Sequence, residues 1–351
     1  MAGDLIYACK PGYEDVMKRI QKIFQVEDKK ISTGSFRFCG REISQAEDFT
    51  ITAFCKDTTE KLEKINYRTQ VKKDSPVNEG EKAQLRSVVG SLAWIARQAR
   101  PDLSYKVSKL QSKCNRATIK DLVYANLAID EAREHSNHGI IYKSDAINWR
   151  NCSIVTVSAW SNEDEQVKKK VQKYKSQRAR MTILVNPDFL KKEESAFHVI
   201  SWQSTIIRRI CRNTLQAETY GVNFAIEEGM RLRALIAESH GEFQSFKDWE
   251  NKSRSFRQHI WITDCKSLEE HLKSDAMGKV DDKRLSIDIP ALRQLIWEDA
   301  SGEEQDELSS DMPDIIQWID TSKMLVDALT KDMNSNELRA TLKTGVWNTI
   351  P

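Results

Sequence analysis

Residues 199–220 have the sequence VISWQSTIIRRICRNTLQAETY, in which an apolar run gives way, after a basic turn, to the start of a long helix. The run Val199–Gln203 is typical of a strand, and the helix is expected from about Leu215 to Ser239. Further apolar runs of strand length lie at Ile154–Val157, Met181–Val185, Ile260–Thr263 and Ile315–Ile319. Alternating strands and helices predict an α/β (mixed α+β) fold, in which helices pack on a mixed sheet.

The composition indicates a folded protein and argues against several other classes of protein. With 351 residues, 40% hydrophobic and 30% charged, the chain is expected to fold as two domains. It has no secretory signal and no apolar run of about 20 residues, so an intracellular location, cytoplasm or nucleus, is expected. The seven cysteines are scattered and odd in number, which argues against a disulfide framework or a zinc site. A net charge of +2 does not by itself indicate a nucleic-acid partner.

The part of the chain before residue 151 has a different pattern. A helix is predicted from about Tyr13 to Phe24, and a strand pair over Phe36–Ile43 and Phe49–Phe54. The polar stretch Asp57–Glu81 has no apolar periodicity and is interpreted as a linker. Three helices follow, starting near Lys82, Asp102 and Thr118. A closing helix is predicted much later, at about Lys323–Leu329.

Several motifs occur in an order found in retroelement polyproteins. They are Gln84–Ile95 followed by Arg100–Tyr105, Ile200–Ser204, Thr214–Tyr220, Ile262–Leu268 and Thr321–Lys331. Together they resemble the C-terminal part of a copia-type retrotransposon Pol polyprotein, namely the end of reverse transcriptase, a connection and ribonuclease H.

This resemblance implies a ribonuclease H-like mixed sheet with helices, preceded by a small α/β remnant of reverse transcriptase and a helical connection. The expected boundaries are 1–70 for the polymerase remnant, 71–150 for the linker and helical connection, 151–335 for the ribonuclease H-like domain and 336–351 for a tail. The expected substrate is the RNA strand of an RNA/DNA hybrid. The chain is not expected to polymerise DNA, because Gly3-Asp4 stands where the family has paired Asp residues and most of the palm is absent.

The resemblance also assigns candidate catalytic and metal-binding residues. Two Mg²⁺ (or Mn²⁺) ions held by carboxylates can activate water and stabilise the leaving oxygen of a phosphodiester. The matching positions are Glu218, Asp264 and Asp327. Taken alone, each of these acids is more simply explained as a surface or capping residue. Their order across several motifs is what favours a metal site.

The first metal-binding Asp of the family is missing. Its place falls in Val155–Asn162, where either Ala159 replaces it or one residue has been lost between Ser158 and Ala159. Neither alternative leaves a ligand on the strand, and Asp164 belongs to the following turn. We therefore expect little or no nuclease activity.

Basic residues near the expected site suggest phosphate contacts. The candidates for nucleic-acid binding are Lys175, Arg178, Arg180, Arg208 and Arg209, and their alternative is an ordinary solvated surface. Trp202 could stack on a base but is more simply a core residue. The rival to a ribonuclease H-like protein with RNA/DNA hybrid or RNA as partner is a noncatalytic nucleic-acid-binding or interaction module, or a nonfunctional retroelement fragment.

Overall fold

The computed structural model describes residues 12, 14–24, 34–163, 175–242, 247, 249–274, 282–297 and 314–348. Within them the chain is a mixed α/β structure with two sheets. Gly3 and Asp4, which stand where the resemblance expects paired Asp residues, lie outside the described residues. Among the helices of the described ranges, none combines the length and apolar character needed to span a membrane.

The first sheet is antiparallel and contains four strands in chain order: β1 (Ser35–Phe38), β2 (Arg41–Gln45), β3 (Ile51–Phe54) and β4 (Gly139–Tyr142). It follows helix α1 (Glu14–Phe24). The predicted strand Phe36–Ile43 is in fact two strands joined by a tight turn, in which Cys39 and Gly40 have φ angles of 47° and 80°. Two successive left-handed residues reverse the chain, which explains why the alternation is only partial.

A helical unit follows, made of α2 (Lys56–Glu60), α3 (Glu79–Gln98), α4 (Ser104–Lys113) and α5 (Ile119–Glu134). Helix α3 begins three residues before the predicted start. Asn78 accepts a hydrogen bond from Glu81 N at 2.8 Å, and Glu81 Oε2 accepts one from Asn78 N at 2.9 Å. This capping box satisfies backbone donors at the helix start. The break at Arg100-Pro101 is confirmed, since a 3₁₀ turn (Pro101–Leu103) separates α3 from α4.

The stretch interpreted as a linker is attached to this unit. Leu62 and Ile65 are buried in its core. Ile65 N also donates to Asn126 Oδ1 at 2.8 Å, and Arg68 N to Glu81 Oε1 at 2.9 Å. In this stretch backbone N–H groups are bonded to side chains and not to a regular helix or strand. Such hydrogen bonds produce no periodic pattern in the sequence.

The second sheet has six strands in the order β10-β7-β6-β5-β8-β9. Their bounds are β5 (Ser153–Glu163), β6 (Lys175–Val185), β7 (Glu194–Ile206), β8 (His259–Thr263), β9 (Ile315–Trp318) and β10 (Val346–Asn348). Strands β5, β6, β7 and β10 are paired antiparallel, whereas β8 is parallel to β5 and β9 is parallel to β8. The expected mixed sheet is therefore present.

Helices cover this sheet on both faces. They are α6 (Thr214–Ser239), α7 (Trp249–Phe256), α8 (Lys266–Lys273), α9 (Leu285–Trp297) and α10 (Asn336–Thr344). On one face, α6 packs closely against β8, where a Cβ on Gly229 would lie 2.5 Å from His259 Cε1. On the other face, α10 and the 3₁₀ turn Leu325–Leu329 share a core with β5, β6 and β7.

The helical unit and the second sheet are in contact. Trp202 Nε1 on β7 donates to Ala96 O at 2.8 Å, and its half-buried ring packs against the core of the sheet. Gln177 Nε2 on β6 donates to Ser108 Oγ at 2.9 Å. The residues interpreted as a tail contain α10 and β10, and β10 extends the sheet at its β7 edge. Trp202 is thus partly buried, with its ring against the core and its Nε1 bonded within the fold.

Candidate active site

Glu218 lies in the second turn of α6. This helix starts cleanly because Asn213 Oδ1 accepts a hydrogen bond from Gln216 N at 2.8 Å. The Glu218 side chain is only 4% exposed, and it accepts a hydrogen bond from the side chain of Trp160, at the far end of β5. Burial, followed by the negative charge of Asp264, raises the pKa of Glu218 to about 9. Glu218 is therefore protonated at neutral pH in the metal-free protein.

Asp264 immediately follows β8, a strand whose five residues are all buried. Its Oδ2 accepts a hydrogen bond from Thr321 Oγ1 at 3.2 Å, and its carbonyl accepts one from Trp318 Nε1 at 3.0 Å. Burial raises the pKa of Asp264, and the charge of Asp327 raises it further. The end of the strand thus presents a partly buried carboxyl group close enough to Asp327 to feel its charge.

Asp327 lies in the 3₁₀ turn Leu325–Leu329, where a closing α-helix was predicted. The sheet explains this difference, because hydroxyl groups on its strands donate hydrogen bonds to backbone carbonyls at the end of the turn. Ser204 Oγ on β7 donates to Leu329 O and Ser161 Oγ on β5 to Thr330 O, both at 2.5 Å. These contacts stop the helix after one short turn and fix Asp327, which is 8% exposed.

The three predicted acids come together. Both Asp264 and Asp327 raise the pKa of Glu218, and Asp327 raises that of Asp264. Such mutual effects act only within electrostatic range, so the three carboxyl groups share one region of the structure although they lie far apart in the chain. Within the described ranges, one oxygen of each is buried without a hydrogen-bond partner: Glu218 Oε2, Asp264 Oδ1 and Asp327 Oδ1. We call these three side chains the carboxylate cluster.

Ala159 stands beside this cluster. Strands β5 and β8 are paired in parallel up to Val157 and Ile262, and extending this register by two residues brings Ala159 opposite Asp264. The β5–β6 ladder is regular throughout Ser153–Glu163, so Ala159 keeps the orientation of Val157 and lies in the same core as Val326 and Leu329. It is 1% exposed and offers no ligand atom. The position predicted to lack an Asp is therefore a methyl-filled site next to Asp264.

A divalent metal does not fit the cluster in this arrangement. Carboxylate oxygens are suitable ligands for Mg²⁺ and Mn²⁺. Among the described residues, however, no group of three His, Cys, Asp or Glu side chains is arranged so that it could hold a metal ion. Ala159, which is 1% exposed, adds no ligand atom beside these acids.

Lys331 is the contact that sequence reasoning missed. Its Nζ lies 2.6 Å from Asp327 Oδ2, and its charge also lowers the pKa values of Glu218 and Asp264. The i,i+4 spacing of Asp327 and Lys331 was a usable signal for such an ion pair. The hydrogen bond from Trp160 had no comparable signal, because it joins a strand to a helix more than fifty residues later.

The candidate basic residues fall into two groups. Arg178 is half-buried over the Phe224 ring, 4.1 Å from its centroid, and donates to Tyr220 O at 3.3 Å. Arg180 is buried against Ser201, Gln203 and Glu228, and burial lowers its pKa to about 10. Both guanidinium groups are used within the fold.

The other basic candidates differ in exposure. Arg208 and Arg209 are exposed on the segment before α6, with Arg209 over the Tyr220 ring. Lys175 begins β6, and its side chain is outside the description. Asp164, the lysines at 168–170 and 173, and Tyr174 also lie outside the described residues. The exposed arginines therefore remain as candidates for phosphate contacts.

Comparison with known proteins leaves this geometry as the main guide to function. No family model matches the chain, and no curated protein is significantly similar to it in sequence.

Proposed function

We propose that the chain is a copia-type retrotransposon-derived protein whose residues 151–335 are a ribonuclease H-like domain with an impaired catalytic centre. The observation that carries the proposal is the carboxylate cluster beside Ala159. Acids from the start of α6, the end of β8 and the turn at Asp327 meet where the resemblance expects metal ligands, and the expected fourth position holds a methyl group. The six-stranded mixed sheet is compatible with this origin.

The ancestral reaction is hydrolysis of the RNA strand of an RNA/DNA hybrid. When bound, Mg²⁺ or Mn²⁺ would supply an activated water and stabilise the leaving oxygen. In this chain Ala159 offers no oxygen to a metal ion at the expected fourth position. The proposed consequence is a cleavage rate close to that of the uncatalysed reaction.

A nucleic-acid partner is a separable part of the proposal. Arg208, Arg209 and Arg212 are exposed immediately before the helix that carries Glu218. Exposed guanidinium groups bind phosphate in a salt-dependent manner. RNA or an RNA/DNA hybrid is the partner class that agrees with the motif resemblance, and binding without cleavage is the second candidate function.

A cleavage assay on an RNA/DNA hybrid in Mg²⁺ and in Mn²⁺ tests the proposal. Wild type should be inactive, and Ala159→Asp should gain metal-dependent cleavage. The matched control is Ala179→Asp. Ala179 pairs with Ala159 and is equally buried, but it lies on β6, one strand further from Asp264. Equal activity of the two variants, or none in either, would contradict the proposed centre.

Binding is measured on the same proteins. If both Asp variants are inactive while wild type binds the hybrid in a salt-sensitive way, the noncatalytic module is favoured. Replacing Arg208 and Arg209 by alanine should then weaken binding and reduce its salt dependence by roughly one unit of slope per lost contact.

A further inference from the structure

The carboxylate cluster needs positive charge. Three neighbouring carboxyl groups in a region of low solvent access cannot all be ionised without strong mutual repulsion. Their three unpartnered oxygens, named above, gain no compensation from hydrogen bonds within the described part of the chain. Glu218 is only 4% exposed and Asp327 only 8% exposed.

Lys331 is placed to provide that charge. Its ammonium is 2.6 Å from Asp327 Oδ2, and it acts electrostatically on both other acids. Its own side chain is 40% exposed, so Lys331 reaches the cluster from its solvent-exposed edge. Thr330 Oγ1 donates to Asp327 O at 3.0 Å, which holds the turn that brings Lys331 back over Asp327.

We propose that Lys331 is the cation of the carboxylate cluster, its ammonium beside Asp327 taking the place of divalent metal. The inference rests on the proposed origin of the three acids as metal ligands. The ammonium of Lys331 explains why the three carboxyl groups stay in one region without forming a metal-binding group. Removing the ammonium should leave excess negative charge that a divalent ion can neutralise.

Titration of the purified full-length protein with Mn²⁺, followed by the electron paramagnetic resonance signal of free Mn²⁺, tests this role. Lys331→Met should bind Mn²⁺ at least tenfold more tightly than wild type. Lys331→Arg, which keeps the charge, should bind no more tightly than wild type. Lys343→Met removes an exposed lysine on α10 and should also match wild type. Equal or weaker binding by Lys331→Met would overturn the proposal.

A second variant covers the possibility that Lys331→Met does not fold. Adding Asp327→Asn removes the carboxylate that Lys331 pairs with and should restore folding if uncompensated charge was the cause. An unfolded double variant would also overturn the proposal. Because this experiment contains no nucleic acid, its failure is distinct from a failure of Ala159→Asp to gain cleavage.

Discussion

Arg339 in α10 is 2.9 Å from Glu131 Oε1 and 3.4 Å from Asp102 Oδ2, measured from Nη1. Asp102 in turn accepts a bidentate pair from Arg100 at 2.8 and 2.9 Å. This buried ionic network joins the helical unit to the last helix. That helix shares a core with the turn that holds Asp327.

Arg339→Met should therefore destabilise the whole described structure. A buried ion pair that loses one partner typically costs about 3 kcal/mol, because the remaining charge stays desolvated. Unfolding in urea measures the loss, and exposed Lys343→Met in the same helix is the control. A change of less than about 0.5 kcal/mol would show that the network does not link the two regions.

Glu218 should make stability depend on pH. Its pKa is about 9 in the folded protein against 4.5 for the free group. As pH rises, Glu218 thus loses its proton in the unfolded chain before it does so in the folded protein. Its contribution to the free energy of unfolding is complete below pH 4.5 and is lost progressively up to about pH 9. Glu218→Gln should remove this loss and be more stable than wild type by about 2 kcal/mol or more at pH 8. Parallel stability curves for both proteins from pH 5 to 9 would contradict this.

His259 should give the opposite dependence. It is fully buried, hydrogen-bonded to Thr156 Oγ1 at 2.9 Å and stacked on Trp261, and burial holds its pKa well below 6.5. Its contribution is present above pH 6.5 and lost as pH falls, because only the unfolded chain takes up the proton. When the pH falls from 7.5 to 5.5, the free energy of unfolding measured in urea should decrease by about 1 kcal/mol less in His259→Gln than in wild type. An unchanged loss would show that another group is responsible.

Gly229 should be required for the packing of α6 on β8. A Cβ there would meet His259 Cε1 at 2.5 Å and Trp261 Cζ3 at 2.6 Å. Gly229→Ala should cost about 1–3 kcal/mol through overpacking. Gly90→Ala, where no atom lies within 4 Å, should stabilise by about 0.5–1 kcal/mol through helix propensity. Thermal unfolding of both variants checks the sign, and a stable Gly229→Ala would contradict the close approach.

The sequence predicted those features that depend on local patterns. The strand before Asp264 and the helix carrying Glu218 follow from apolar runs in the sequence. Missed features depend on partners far along the chain. Strand β4 pairs with β3 across more than eighty residues, and the turn at Asp327 is short because hydroxyls of Ser161 and Ser204 bind its carbonyls. Neither relationship produces a periodic hydrophobic pattern in the sequence.

The affinity of Ala159→Asp for Mn²⁺, compared with wild type and Ala179→Asp, tests the central claim most directly. If Ala159 occupies the place of a lost ligand, the first variant should bind Mn²⁺ at least tenfold more tightly than the other two proteins. Equal affinities of all three folded proteins would contradict a damaged metal centre beside Asp264.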